Sequence, residues 1–465
     1  MKLYRNAIIL VIIVALLGGA YFLINSIKPS EDGTIDETND TIKLTDYTTD
    51  QIESLTLQNP EGTFVIIPKE MNWVLSSPTD INADPSVLSG IVINAATVIA
   101  DKLVEEDAQD LSIYGLDNPI LVKLKAKDAR ETTLEIGNMT PTKGGYYIKV
   151  SSENKVYVVG SYTADRLVTD RNGMRLRTLY SITPDMINKL SMDRKGQNVF
   201  ASSMNADSSW SLNEPITGSV NSSALAPMLD ALSNATVSDF VEDKPSDLSK
   251  YGLDDPSYVF DFSTTTAGAF RLLLGNEKTK GSEIYARLEG KDEVYAVNSA
   301  AFTFLDKPLR EIVEVFAYIV NIDQVTKIDL TIDGKRTSMT LDVYKDAEGK
   351  SDNDLDKFTV NGKDASGKDE NDDQPFRKFY QDLIGISLDE IDVNGTPSGS
   401  PEVTIEYTLK SGTMKVDYIS KDANYYYVNR NGEYAGILVK KNKQDYGVMG
   451  MKDSYKKMMD FLAKQ

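Results

Sequence analysis

Residues 110–119 read Asp-Leu-Ser-Ile-Tyr-Gly-Leu-Asp-Asn-Pro, and residues 247–256 read Asp-Leu-Ser-Lys-Tyr-Gly-Leu-Asp-Asp-Pro. The tyrosines of this motif, Tyr114 and Tyr251, stand 137 residues apart (251 − 114). An ordered match of this length at so long a spacing is typical of a duplicated structural unit. The stretch therefore predicts that the chain consists of tandem copies of one domain.

Other matched segments surround the motif at almost the same spacing. Trp73 corresponds to Trp210, and three strand-like pairs follow in order: residues 134–138 with 272–276, 147–150 with 285–288, and 156–159 with 294–297. A third copy is predicted further on, because residues 325–330 resemble residues 51–57. In that copy the Tyr-Gly-Leu motif is missing, and an acidic insertion occupies residues 346–373.

Each copy contains short alternating segments and one helical pattern. Asp84 is a suitable helix N-cap and Pro85 suits the first helical position. One apolar face follows at helical spacing: Leu88, Ile91, Val92, Ala95, Ile99 and Leu103. We predict an α+β fold, with tandem repeats of a small antiparallel β-sheet unit that carries one or two packed helices, after an N-terminal transmembrane helix.

Composition changes along the chain predict the following segments: 1–27, a cytoplasmic tip and transmembrane anchor; 28–50, an acidic flexible stalk; 51–183, repeat 1; 184–320, repeat 2; and 321–465, a divergent repeat 3 with the acidic insertion. Residues 7–24 form an uncharged apolar run, long enough to nearly span a hydrocarbon core and longer than the apolar core of a cleaved signal peptide. Lys2 and Arg5 precede the run. Basic flanks stay in the cytoplasm, so we predict a single-pass protein of the cell membrane with an extracytoplasmic body.

The composition also excludes several kinds of chemistry. The chain contains no cysteine and no histidine, which excludes disulfides, Cys- or His-ligated metal sites, thiol nucleophiles and Ser-His-Asp triads. Its net charge of −20 makes nucleic acid an unfavourable partner. We predict no cofactor, no catalytic residue and no metal site, with a solvated loop as the interpretation of the acidic stretch that includes residues 352–356 and 369–373. Weak calcium binding there stays an open alternative.

Two groups of residues are candidates for special roles. The first is structural and consists of Trp73, Tyr114, Gly115, Pro119, Trp210, Tyr251, Gly252 and Pro256. In this group glycine can adopt a left-handed turn conformation, and proline favours extended geometry in the residue before it. The second group is the basic cluster between repeats one and two: Arg166, Arg171, Arg175 and Arg177. These arginines can pair with carboxylates of the chain itself, or they can dock a protein partner.

The ordered motifs, Trp-x-Leu, Tyr-Gly-Leu-Asp-x-Pro, Leu-x-Ile-Gly, Tyr-x-Lys/Arg-Val and Val-Tyr-x-Val, resemble the bacterial family catalogued as domain of unknown function 4340. The resemblance covers residues 52–320 and extends more faintly into the third copy. The resemblance implies an N-terminal membrane anchor and an association with ABC-type export systems, including the gliding-motility type. The family has no established catalytic residues to transfer to this chain.

These observations together favour a non-enzymatic, extracytoplasmic binding or scaffold component of an envelope membrane complex, accessory to an ABC-type transport system. A cell-surface module that binds polysaccharide or peptidoglycan is the first alternative. A carboxylate-based hydrolase is the second, because Asp and Glu pairs can catalyse hydrolysis without histidine.

Overall fold

The computed structural model describes residues 41–465. The chain divides into two compact units, one ending at Met174 and the other running from Arg175 to Gln465. Among the described residues, no helix has both the length and the apolar character needed to cross a membrane. The predicted anchor and the first part of the predicted stalk lie outside these residues.

The first unit contains one large sheet and a two-stranded pair. Its strands are β1 (Ile42–Lys43), β2 (Ile52–Asn59), β3 (Gly62–Lys69), β4 (Asn72–Ser77), β5 (Ile99–Ala100), β6 (Lys102–Glu105), β7 (Ile120–Ala126), β8 (Glu131–Met139), β9 (Gly145–Val150) and β10 (Val156–Gly160). The eight-stranded sheet has the order β4-β3-β2-β7-β8-β9-β10-β6, and β1 pairs with β5.

The second unit begins with a nine-stranded sheet. Its strands are β11 (Ile187–Arg194), β12 (Gln197–Met204), β13 (Trp210–Glu214), β14 (Gly218–Ser219), β15 (Val237–Glu242), β16 (Tyr258–Thr264), β17 (Ala269–Thr279), β18 (Glu283–Leu288) and β19 (Val294–Asn298). They are arranged in the order β14-β13-β12-β11-β16-β17-β18-β19-β15.

A second nine-stranded sheet follows in the same unit. Its strands are β20 (Val325–Ile332), β21 (Lys335–Asp342), β22 (Lys357–Val360), β23 (Lys363–Asp364), β24 (Glu390–Ile391), β25 (Pro401–Leu409), β26 (Gly412–Ser420), β27 (Tyr425–Arg430) and β28 (Glu433–Lys440). The order is β23-β22-β21-β20-β25-β26-β27-β28-β24.

The three large sheets share one topology. In each, the strands of the sheet that precede the main helix form a meander, a strand that follows this helix joins the far edge, and the remaining four complete the sheet. Every strand pairing within residues 41–465 is antiparallel, as in β2 with β7 and β11 with β16. The predictions of tandem sheet units and of an antiparallel α+β fold are therefore confirmed. The third copy keeps the strand order although it lacks the Tyr-Gly-Leu motif.

The described helices are α1 (Pro85–Ala96), α2 (Ser161–Leu167), α3 (Ser222–Ser233), α4 (Leu309–Ile312), α5 (Pro375–Ile384) and α6 (Val448–Lys464). The Asp84 carboxylate accepts a hydrogen bond from the Ser86 amide at 2.8 Å, as its N-cap position requires. The predicted apolar face is too long at its C-terminal end. Ile99 and Leu103 lie on β5 and β6 and are exposed, because α1 ends at Ala96 and the chain continues as strand.

Residues 42–47, which fall in the predicted acidic stalk, belong to the folded first unit. The Thr45 hydroxyl donates to the Ala95 carbonyl at 2.7 Å, and the Tyr47 amide donates to the Ala96 carbonyl at 2.9 Å. Leu44 and Tyr47 are buried. These contacts satisfy carbonyls at the C-terminal end of α1, so this part of the stalk prediction is corrected.

The main core of each repeat lies between the helices and one face of the sheet. In the second unit the cores of both sheets form one contiguous apolar cluster. A smaller cluster lies on the opposite side of the first sheet, around Leu116 and Val156, and its counterpart in the second sheet surrounds Leu253 and Val294. The Tyr-Gly-Leu motif supplies these smaller clusters.

The motif forms the same contacts in both repeats. Gly115 and Gly252 have φ angles of +67° and +66°, in the left-handed region that favours glycine. The Tyr114 ring lies 4.9 Å from that of Tyr147, and the Tyr114 hydroxyl donates to Glu105 at 2.7 Å. Tyr251 makes the equivalent contacts with Tyr285 and Glu242.

The other members of the structural group lie at strand boundaries. Pro119 immediately precedes β7 and Pro256 lies two residues before β16. Trp73 and Trp210 lie on β4 and β13, where both are half-buried against their cores.

Candidate functional site

The outer faces of the three sheets carry different chemistry at equivalent positions. On the central strand of the first sheet, Thr56 lies opposite Lys123 of β7. In the second sheet the equivalent pair is Ser191 and Asp261. In the third it is Asp329 and Glu406. The fold is thus repeated while the surface that it presents is not.

The second sheet has an open groove on its outer face with a volume of about 400 Å³. Short side chains on neighbouring strands line it: Ser191, Ala201, Ser203, Asn213, Ser263 and Ala269. We call this surface the serine groove. Ser191 sits between Ala201 on β12 and Asp261 on β16, so no large side chain fills the space above the central strand.

Charged residues bound the serine groove. Lys189 pairs with Ser203 on one side and Ser263 on the other, and its side chain is on the same face as Ser191 because strand residues alternate. Asp261 accepts hydrogen bonds from Nη1 of Arg271 through both carboxylate oxygens, each at 3.1 Å. Burial raises the pKa of Asp261; Arg271 opposes this effect, whereas Asp193 and Glu289 add to it.

The groove is equipped for hydrogen bonding to a polar ligand. The Asn213 amide donates to the Ser203 hydroxyl at 2.9 Å, which fixes the orientation of both groups. Serine hydroxyls can donate and accept, so the groove suits peptide groups or sugar hydroxyls. The sequence does contain a pattern that could have indicated this surface, namely short side chains at alternate positions of β11, β12 and β16. Sequence reasoning missed it because the three strands become neighbours only in the sheet.

The outer face of the third sheet carries an ion-pair network instead. Asp329 is 7% exposed and pairs with Lys327 at 2.7 Å and Arg336 at 2.9 Å. Burial raises the pKa of Asp329, but hydrogen bonds from Lys327, Arg336 and Ser338 outweigh it and lower the pKa to about 2. The carboxyl group of Asp329 is therefore ionised at neutral pH, and its role is structural.

The four arginines of the predicted docking cluster have separate surroundings. In the first unit, Arg166 donates to the Tyr162 carbonyl at 2.5 Å and stacks on its ring. Arg171 pairs with Asp80 at 3.0 Å. Both lie in the segment that follows β10.

The other two arginines belong to the second unit. Arg175 is 8% exposed, pairs with Asp243 and lies 3.8 Å above the Phe240 ring. Arg177 donates to the carbonyls of Val237 and Ser238 at 3.0 and 2.7 Å. The structure thus places Arg175 in a folding role, whereas a docking role for the cluster stays a prediction.

The acidic insertion contains one buried carboxylate. Asp356 is 3% exposed, pairs with Arg377 and accepts from the Tyr344 amide at 2.8 Å. Asp354 instead pairs with Lys368 at 3.0 Å. Within residues 41–465, no group of three or more acidic side chains is arranged to hold a metal ion.

The fold and the groove define a class: a tandem-repeat α+β protein with one helix-covered face and one open face on each sheet. A family model described as "Domain of unknown function (DUF4340)" matches residues 73–209 and 210–412. The chain belongs to this family. Comparison with curated proteins and with solved structures found no match.

Proposed function

We propose that this protein is a non-enzymatic binding or scaffold component of an extracytoplasmic membrane complex, and that the serine groove is one of its contact surfaces. The observation that carries the proposal is the contrast between constant topology and variable outer faces. Thr56, Ser191 and Asp329 occupy equivalent central positions and present different chemistry. Repeat proteins bind in this way, since a conserved framework presents several contact surfaces along one chain.

Tandem surfaces also explain how open, shallow sites can bind usefully. An open groove buries little of a ligand, so a single contact of this kind is weak. Linked surfaces raise the effective concentration of one another, and the combined affinity exceeds that of each alone. We propose an anchor at residues 7–24 and an ABC-type transport system as the partner; the first rests on the apolar run and the second on the family resemblance.

A glycan of the cell surface is the second candidate ligand. The serine groove favours it, because Ser191, Ser203 and Asn213 offer paired donors and acceptors of the kind that sugar hydroxyls require. Phe262 and Phe270 also line the groove, but their rings pack against the core on the other face of the sheet from Ser191. They offer no stacking platform for a sugar ring, so a protein segment is the better fit.

Crosslinking in native membranes, followed by identification of captured proteins, tests the proposal. The wild-type chain should capture transporter subunits. Ser191→Tyr fills the groove and should reduce capture by about tenfold if the lost contact is worth about 1.4 kcal/mol. Ser246→Tyr is the control, because it adds the same side chain at an exposed loop position of the second unit outside the groove and should leave capture unchanged.

Two results would contradict the proposal. Capture of glycan without protein would replace the scaffold by the second candidate. Equal capture by Ser191→Tyr and wild type would remove the serine groove from the contact surface.

A further inference from the structure

The outer edge of β4 differs from the equivalent edges of the other two sheets. In the second sheet, the equivalent strand β13 is covered by β14, through the pairs Ser211–Ser219 and Leu212–Gly218. In the third sheet, β22 is covered by β23. In the first sheet, β4 is the terminal strand, and none of the described strands pairs with its outer edge.

The backbone groups at this edge correspond to groups that are bonded in the second repeat. There the Trp210 carbonyl accepts a hydrogen bond from the Val220 amide at 3.1 Å. Trp73 is the equivalent residue, and it lies opposite Pro68, which has no N–H to donate. The backbone groups of Trp73 and Leu75 that face away from β3 are therefore positioned to pair with an added strand. No strand among residues 41–465 pairs with them.

The loop after β4 explains why the chain leaves this edge open. Residues 78–83 and 215–220 have equal length, but the second carries Gly218-Ser219 where the first carries Ile81-Asn82. Ile81 is buried in the core of the first unit. Asp80 pairs with Arg171 at 3.0 Å. These two contacts hold the loop in another path, so it forms no edge strand.

The edge also lacks the usual protection against strand pairing. Residues 72–77 read Asn-Trp-Val-Leu-Ser-Ser, six residues without a charge or a proline. Trp73, Val74 and Leu75 are half-exposed, and Met71 in the preceding turn is 98% exposed. Natural proteins normally blunt such edges with charge, proline or a short strand, as β14 and β23 do here.

We propose that the outer edge of β4 binds an extended segment of a partner protein, which adds to the first sheet as a ninth strand. The chain's own β14 and β23 define the occupant, since both are extended backbone paired at the equivalent edge. Main-chain hydrogen bonds give affinity in this mode, and alternate side chains give specificity. The inference rests on the proposed function as a binding component and names a different contact from the serine groove.

A second copy of this chain is the less favourable occupant. Two chains that each carry a net charge of −20 repel each other. The uncharged strand 72–77 offers no opposite charge to offset that repulsion. A neutral segment avoids this repulsion, and a segment rich in β-branched residues favours the extended conformation of an added strand.

Hydrogen exchange on the purified full-length chain tests whether the edge is open. The Leu75 amide should exchange about tenfold faster than the Leu212 amide, which lies in the covered strand of the second repeat. Equal protection of the two amides would overturn the inference. In a graft of residues 215–220 onto positions 78–83, the Leu75 amide should become as protected as that of Leu212.

A photo-crosslinking residue at position 74 in native cells then tests the occupant. We expect a product with a partner protein that is lost in the graft and in Asn72→Lys, which places a charge on the same face of β4 as position 74 without entering the core. A product of twice the chain's mass, or no product, would overturn the inference. If Ser191→Tyr still reduces capture while position 74 gives no product, only the edge inference fails and the proposed function stands.

Discussion

The guanidinium of Arg430 donates a hydrogen bond to the carbonyl of Thr217, 213 residues earlier in the chain, at 3.0 Å. The same side chain donates from Nε to the Ala317 carbonyl at 2.9 Å. Beside it, a Cβ on Gly436 would lie 2.1 Å from the Ile216 side chain, so glycine permits this close approach. A loop of the second repeat thus packs on the third, and the two repeats form one unit.

Replacement of Arg430 by methionine should destabilise the second unit. Two carbonyls would lose a charged donor, at a cost of about 1–3 kcal/mol. Arg287→Met is the control, since Arg287 makes one exposed bond, to the Lys291 carbonyl. Its cost should stay below about 0.5 kcal/mol. Thermal unfolding measures both, and equal melting temperatures would show that Arg430 does not join the repeats.

Gly115→Ala should destabilise the first unit through strain and a steric clash. A left-handed backbone costs a residue with a Cβ about 1–2 kcal/mol. The new Cβ would also lie 2.4 Å from Cγ of Asn138. Gly290→Ala separates the two effects, because its φ is +82° but nothing lies within 4 Å. Chemical unfolding should show a larger loss for Gly115→Ala, and an equal loss would exclude the clash.

Acid should remove the contribution of Asp329 to stability. Its pKa falls from 3.8 to about 2 on folding, so ionised Asp329 stabilises the folded state above pH 4. This contribution, about 2 kcal/mol, is lost as the pH falls from 4 towards 2. Unfolding curves of the wild type and Asp329→Asn should therefore converge over that interval. A constant difference between them across the interval would contradict the prediction.

Arg175→Ala should act on folding, unlike a change at Arg166. Arg175 is buried against Phe240 and Asp243, and its loss should cost about 1–3 kcal/mol. Arg166→Ala should change stability by less than about 0.5 kcal/mol. Calorimetry of the two variants checks this order. If Arg175→Ala kept its melting temperature but lost partner capture, a docking role would replace the folding role.

Protease added to intact cells should digest the body and leave a short anchor fragment. Lys2 and Arg5 precede the apolar run 7–24, and because basic flanks of a membrane span stay in the cytoplasm we predict a cytoplasmic N-terminus. Immunoblotting with antibodies to the body and to the N-terminus measures the result. A protected body would reverse the orientation, and a mature N-terminus after Ile24 would indicate a cleaved signal peptide.

The sequence by itself determined the features that depend on local chemistry. Repetition of the Tyr-Gly-Leu motif predicted the tandem sheets, because the left-handed turns at Gly115 and Gly252 favour glycine in both copies that carry the motif. The N-cap at Asp84 was predictable for the same reason, since a carboxylate two residues before an amide can cap it without help from the rest of the fold.

Only the tertiary structure decided the features that depend on strand register and on distant partners. Ile99 continues a helical spacing in sequence, yet its backbone pairs with Lys43. The serine groove arises because β11 lies between β12 and β16, which brings Ser191 and Asp261 together across 70 residues (261 − 191). The contact of Arg430 with Thr217 spans two repeats. Such contacts follow from packing of whole elements, and no local pattern encodes them.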